Sequence, residues 1–141
     1  MEKSTPKILK RGKEIFAEKF DKPEAAEAHH YQNLGKAYSA LGQNTEALKA
    51  FENAVHVKPD YAEAHHNVGW TYRKLGRYSE AIAAYKEAIY IKPNDPGVHY
   101  NLGVVYLESG NTGSALKEYK ILKDLDADMA KKLLHLIYKY S

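Results

Sequence analysis

The groups in this 141-residue chain with chemistry to offer are seven histidines, one tryptophan, and three asparagines spaced 34 residues apart. The histidines invite a metal reading first. His29-His30 and His65-His66 are adjacent pairs, and neighbours on a helix point about 100° apart, so neither pair chelates one ion. His65 and His99 stand at the same place in successive segments, and packing between helices is their expected role. Gly35-Lys36 lacks the glycine-rich strand-to-helix loop of a phosphate cradle. No His-Glu-x-x-His pair and no nucleophile elbow is present. Without cysteine there is no disulfide, thiolate metal site or thiol nucleophile, which fits a reducing compartment. Catalytic residues, metal ligands and cofactor sites are therefore all expected to be absent.

The asparagines offer recognition. An amide both donates and accepts, so Asn33, Asn67 and Asn101 in a row would pair with the backbone of an extended ligand without reading its side chains. Asparagine bonded to a neighbouring helix is the plainer alternative. Trp70, with His66 and Tyr100, supplies an aromatic anchor, provided the tryptophan is not buried between helices. Lys36, Arg73 and Lys74 would give one flank positive character and favour an acidic partner.

These residues need elements to hold them, and the sequence repeats with a period of 34. Tyr31 to Tyr38, Tyr-Gln-Asn-Leu-Gly-Lys-Ala-Tyr, recurs as His65 to Tyr72 and as His99 to Tyr106. Ala47, Phe51 and Ala54 map to Ala81, Tyr85 and Ala88, then to Ala115, Tyr119 and Leu122. Pro59 maps to Pro93, and Ala127 stands where the third proline would be. Apolar residues at spacings of three and four, such as Tyr31, Leu34, Tyr38 and Leu41, predict an amphipathic helix in the first half of each unit. Glycines at 42, 76 and 110 end it, and Lys-Pro pairs at 58–59 and 92–93 end the second helix. Asp95-Pro96 predicts a capped start. Gly35, Gly69 and Gly103 lie mid-helix, where glycine costs roughly 1 kcal/mol relative to alanine, so close approach of the paired helix must offset them.

On these residues the chain resembles the tetratricopeptide repeat family, with units at 28–61, 62–95 and 96–129. The resemblance implies an all-α fold, a right-handed α-solenoid of helix pairs. Its concave groove, built from the first helix of each pair, would bind a protein or peptide segment. The groove residues it implies are Gln32, Asn33 and Lys36; His66, Asn67, Trp70, Arg73 and Lys74; and Tyr100, Asn101, Val104 and Glu108, with His29, Ser39, Glu63 and Leu107 beside them. Histidine at 65 and 99 replaces a tryptophan frequent in the family. One subclass clamps a chaperone C-terminal carboxylate; the matching positions here are Gln32, Lys36, Asn67, Gly97 and Asn101, and Asn67 alone fits.

Stacked arrays leave apolar faces at their ends. Residues 1–27 are expected to supply a packing helix over 7–20, with Ile8, Leu9, Ile15, Phe16 and Phe20 on one side. Residues 130–141 are expected to cap the other end through a helix carrying Leu133, Leu134, Leu136, Ile137 and Tyr140. Self-assembly through those ends is the alternative function, and an accessory role in an enzyme complex a third. No stretch approaches the roughly 20 apolar residues of a membrane span, and no secretory leader is recognisable, so a cytoplasmic location is expected. The net charge of +3 is spread along the chain and does not call for nucleic acid.

Overall fold

The computed structural model describes residues 23–140, and the expected helix at 7–20 lies outside them. Among the described residues seven helices follow one another: α1 (Pro23–Ala40), α2 (Asn44–Val57), α3 (Ala62–Lys74), α4 (Tyr78–Ile91), α5 (Pro96–Glu108), α6 (Thr112–Leu125) and α7 (Ala127–Tyr140). They pack as pairs, α1 on α2, α3 on α4 and α5 on α6, and each pair stacks on the next. The fold is an all-α helical-repeat solenoid.

The punctuation works as the residue types require. Gly42, Gly76 and Gly110 take φ of 75°, 74° and 86°, a left-handed conformation that a side chain resists. Asp95 accepts from the Gly97 amide at 3.0 Å with Pro96 at the first helical position. The third unit breaks the pattern at its end. With Ala127 in place of proline, α6 and α7 are separated by Asp126 alone, whose carboxylate accepts from the amides of Asp128 and Met129 at 3.1 Å each.

The core lies mostly between units. One cluster joins Ala47, Leu48 and Phe51 of α2 to Val68 of α3 and Ala84 of α4. The next joins Ala81, Tyr85 and Ala88 of α4 to Val98, Leu102 and Val105 of α5. The last joins Ala115 and Leu122 of α6 to Ala130, Leu133 and Ile137 of α7. Stacking is therefore what buries the apolar stripes, as nearest-neighbour energetics of a repeat array demand. The equivalent residues Leu34, Val68 and Leu102 show it: Leu34 is 37% exposed, Val68 6% and Leu102 2%. Among the described residues, a preceding helix pair stands before the last two.

The mid-helix glycines mark close approaches, with one departure from expectation. A Cβ on Gly35 would meet the Phe51 ring at 2.5 Å, and one on Gly69 the Tyr85 ring at 2.8 Å. At Gly103 the nearest atoms belong to Leu133 of α7, at 2.6 Å, and not to the paired helix α6. Tyr119, the equivalent of Phe51 and Tyr85, is only partly buried and packs against the last cluster.

Candidate functional site

The first helices of successive pairs are tied to each other by side chains. Lys36 Nζ on α1 lies 2.8 Å from Glu63 Oε1 on α3, and the Lys36 ammonium holds the Glu63 carboxyl below its usual range. Arg73 on α3 grips Glu108 on α5 through two nitrogens, Nε to Oε1 at 2.6 Å and Nη2 to Oε2 at 3.0 Å. That forked geometry suits a planar guanidinium facing a carboxylate, and Glu108 raises the Arg73 pKa further. Between these two ion pairs, His66 Nε2 lies 2.8 Å from Asn101 Nδ2. Burial disfavours the His66 imidazolium and pushes its pKa below 6.5, so the ring nitrogen accepts and the Asn101 amide donates. The His66 ring also lies against Tyr85, with centroids 5.6 Å apart.

Beyond these links a pocket of about 720 Å³ opens, bounded by Trp70 and Arg73 of α3, by Tyr100, Asn101, Val104, Leu107 and Glu108 of α5, and by Leu136 and Tyr140 of α7. Trp70 lines this pocket and is not enclosed between helices. Two cations lie near its ring, Arg73 at 5.2 Å and Lys74 at 5.1 Å from the centroid. The residues singled out in the sequence thus divide. Trp70, Arg73, Tyr100, Asn101, Val104 and Glu108 meet in one pocket, with Lys74 at its edge. Asn33 and Lys36 are exposed on α1, Asn67 is half-buried on α3, and Gln32 is fully buried. Lys36 and Arg73 both face carboxylates, which balances much of the positive flank expected there.

Leu136 and Tyr140, expected on the capping helix, also line this pocket. The signal for a second role is their spacing: Leu133 and Ile137 lie on the buried stripe of α7, and Leu136 and Tyr140, each three residues further on, form a neighbouring stripe.

The histidines keep the loops in place. His65 Nε2 donates to the Pro59 carbonyl at 2.8 Å, and His99 Nε2 does the same to Pro93 at 2.6 Å. Nδ1 of His99 lies 2.7 Å from Glu118 Oε1 in a buried setting. Since Nε2 faces a carbonyl that only accepts, one proton must lie between Nδ1 and the carboxyl group. Glu118 occupies the place of Ala50 and Ala84 in the earlier units, and His99 is what makes that burial tolerable. Among the described residues no group of three or more histidine, aspartate or glutamate side chains is placed to hold a metal ion. No helix there is long and apolar enough to cross a membrane.

Known structures share this arrangement. MamA is 29% identical with a TM-score of 0.69, over 74% of this chain and 61% of that one, so the chain spans under two thirds of MamA's length. The first TPR of Spaghetti (RPAP3), solved bound to the HSP90 peptide SRMEEVD, superposes with a TM-score of 0.75 at 18% identity, over 79% of this chain and 90% of that one. A mutant O-GlcNAc transferase from Thermobaculum terrenum gives 0.76 at 24% identity, over 84% of this chain and 23% of that one. The last two show the fold alone. No curated protein sequence matches significantly. A family model described as a TPR repeat matches residues 35–72 and again 69–110, more than half of the chain. The protein belongs to the tetratricopeptide repeat family.

Proposed function

We propose that this protein is a binding module, not an enzyme, and that it holds a peptide or protein segment along the surface shared by α1, α3 and α5. One observation carries this most directly: six residues chosen as groove candidates from the repeat register converge on a single pocket with Trp70 at its wall. Two of the pocket's polar side chains are already matched, Arg73 to Glu108 and Asn101 to His66, which suits a preformed recognition surface. Support also comes from the shared fold of the Spaghetti TPR, a structure that holds a peptide. That peptide type is not carried over, since Asn67 alone matches the carboxylate-clamping positions. The absence of cysteine suits action in a reducing compartment such as the cytoplasm.

The groove is tested with peptides recovered from a random displayed library on the full chain. Replacing Asn33, Asn67 and Asn101 together with alanine should weaken their binding by about ten-fold, the order expected when hydrogen bonds to a ligand backbone are lost. Far-UV circular dichroism should remain helical. Unchanged affinity would overturn the amide row.

Self-assembly is a second reading, favoured by exposed apolar side chains at the first and the last two of the described helices. Leu34 on α1 and Leu41 just after it are exposed, as are Leu116 and Ile121 on α6 and Tyr138 on α7. Light scattering over a concentration series separates the two, because a strict monomer at high micromolar concentration contradicts assembly.

A further inference from the structure

The pocket at the α7 end of the groove has a composition that selects its occupant. Val104, Leu107 and Leu136 give it an aliphatic wall, and Trp70, Tyr100 and Tyr140 complete it. Its volume of about 720 Å³ lies within the range of about 300–1,000 Å³ usual for ligand pockets. Arg73 is matched to Glu108 and Asn101 to His66, and the aliphatic and aromatic wall offers apolar surface to bury on binding.

The charge around that apolar wall is unbalanced. Arg73 and Lys74 lie near the Trp70 ring, and Lys139 Nζ lies 5.2 Å from the Tyr140 centroid. Glu108 is the carboxylate among these groups, and it answers Arg73 alone. Arg73 engages it through Nε and Nη2, and Nη1 takes no part in that pair. Toward α1 the corresponding link is balanced, Lys36 against Glu63. Positive potential is thus concentrated where the apolar wall is, at the rim made jointly by α3 and α7.

We propose that this pocket receives a bulky apolar side chain of an acidic partner segment, whose carboxylates meet Lys74, Lys139 and the outer edge of Arg73. This deepens the groove reading and rests on it. Helix α7 thereby becomes part of the binding site: Leu136 and Tyr140 touch the ligand, while Leu133 and Ile137 hold the helix down. Single-stranded nucleic acid fits less well, because a base stacks on an open ring face and cations already stand near Trp70 and Tyr140.

The experiment is a selection of random dodecapeptides displayed on phage against the immobilised full chain, followed by calorimetry on the recovered peptides. Enrichment of sequences that combine glutamate or aspartate with leucine, phenylalanine or tryptophan is expected. Tyr140→Ala and Lys74→Glu should each weaken those peptides by about ten-fold, with affinity falling as salt rises. Both side chains are largely solvent-exposed, so the melting temperature should hold and a loss of folding cannot imitate a loss of binding. Enrichment of basic or uncharged sequences would overturn the proposal, as would peptides indifferent to both substitutions, or an oligothymidylate that binds as tightly. If the peptides ignore Tyr140→Ala and Lys74→Glu yet lose affinity when Asn33, Asn67 and Asn101 become alanine, the groove reading stands and the pocket assignment falls. If the selection recovers nothing, both fall.

Discussion

Tyr85 and Gly69 illustrate what single residues contribute to this array. The Tyr85 hydroxyl is buried with no hydrogen-bond partner among the described residues, and burial pushes its pKa well above the ordinary 10. Phe51 fills the equivalent place one unit earlier without a hydroxyl. Tyr85→Phe should therefore leave stability unchanged or raise it by about 1 kcal/mol, because the desolvated oxygen is removed; urea denaturation reads this. Gly69→Ala should act oppositely. Its Cβ would sit 2.8 Å from the Tyr85 ring, and overpacking of about 1–3 kcal/mol outweighs the roughly 1 kcal/mol gain in helix propensity. His66 contributes a pH dependence of its own. Its folded pKa lies below 6.5, so the unfolded chain binds the proton more readily; the stability it helps maintain is complete above 6.5 and declines as pH falls toward the folded value. His66→Gln keeps an acceptor for Asn101 and does not titrate. The variant's stability should fall less steeply over that window, by at most about 1.4 kcal/mol per pH unit, in thermal melts at stepped pH. The register of Asn101 and Trp70 was legible in the sequence because both lie on the 34-residue period. The bond between Asn101 and His66 was not, since it spans 35 residues and depends on the offset between two helices.

Among the elements, α7 departs most from a repeat-by-repeat reading. The sequence marks it as amphipathic, and its buried face of Ala130, Leu133 and Ile137 follows from spacings of three and four. Two facts were hidden. Asp126 replaces a proline-containing link as the cap of the helix, and Leu133 takes the place against Gly103 that a ring occupies in the earlier units. Both arise from a junction that occurs once in the chain, so self-comparison had nothing to align it with. Leu133→Ala should cost about 2–5 kcal/mol, since the side chain is fully buried and its loss leaves a cavity beside Gly103. Hydrogen exchange would show α7 losing protection first, with α3 and α4 retaining theirs. Uniform loss along the chain would mean that α7 is not a separable last layer. Glu118 is legible in the same partial way: the period shows it as foreign among alanines, and only the structure supplies His99 as its partner.

At the scale of the whole molecule, stacking of helix pairs does two things at once. It buries the apolar stripes between units, and it brings the exposed sides of α3, α5 and α7 together around one pocket. The period foretold the helix pairs and their order, because a repeat constrains local structure and packing alike. It could not foretell the pocket's closed end, which is made by the helix outside the period. Trp70, the chain's one tryptophan, stands in that pocket and reports on it without a label. Titrating the full chain with selected acidic, apolar peptides while following Trp70 fluorescence tests the groove most directly. A saturable change in emission at the calorimetric affinity, lost in Tyr140→Ala, is the predicted result. Calorimetric binding with the tryptophan emission unmoved would contradict it.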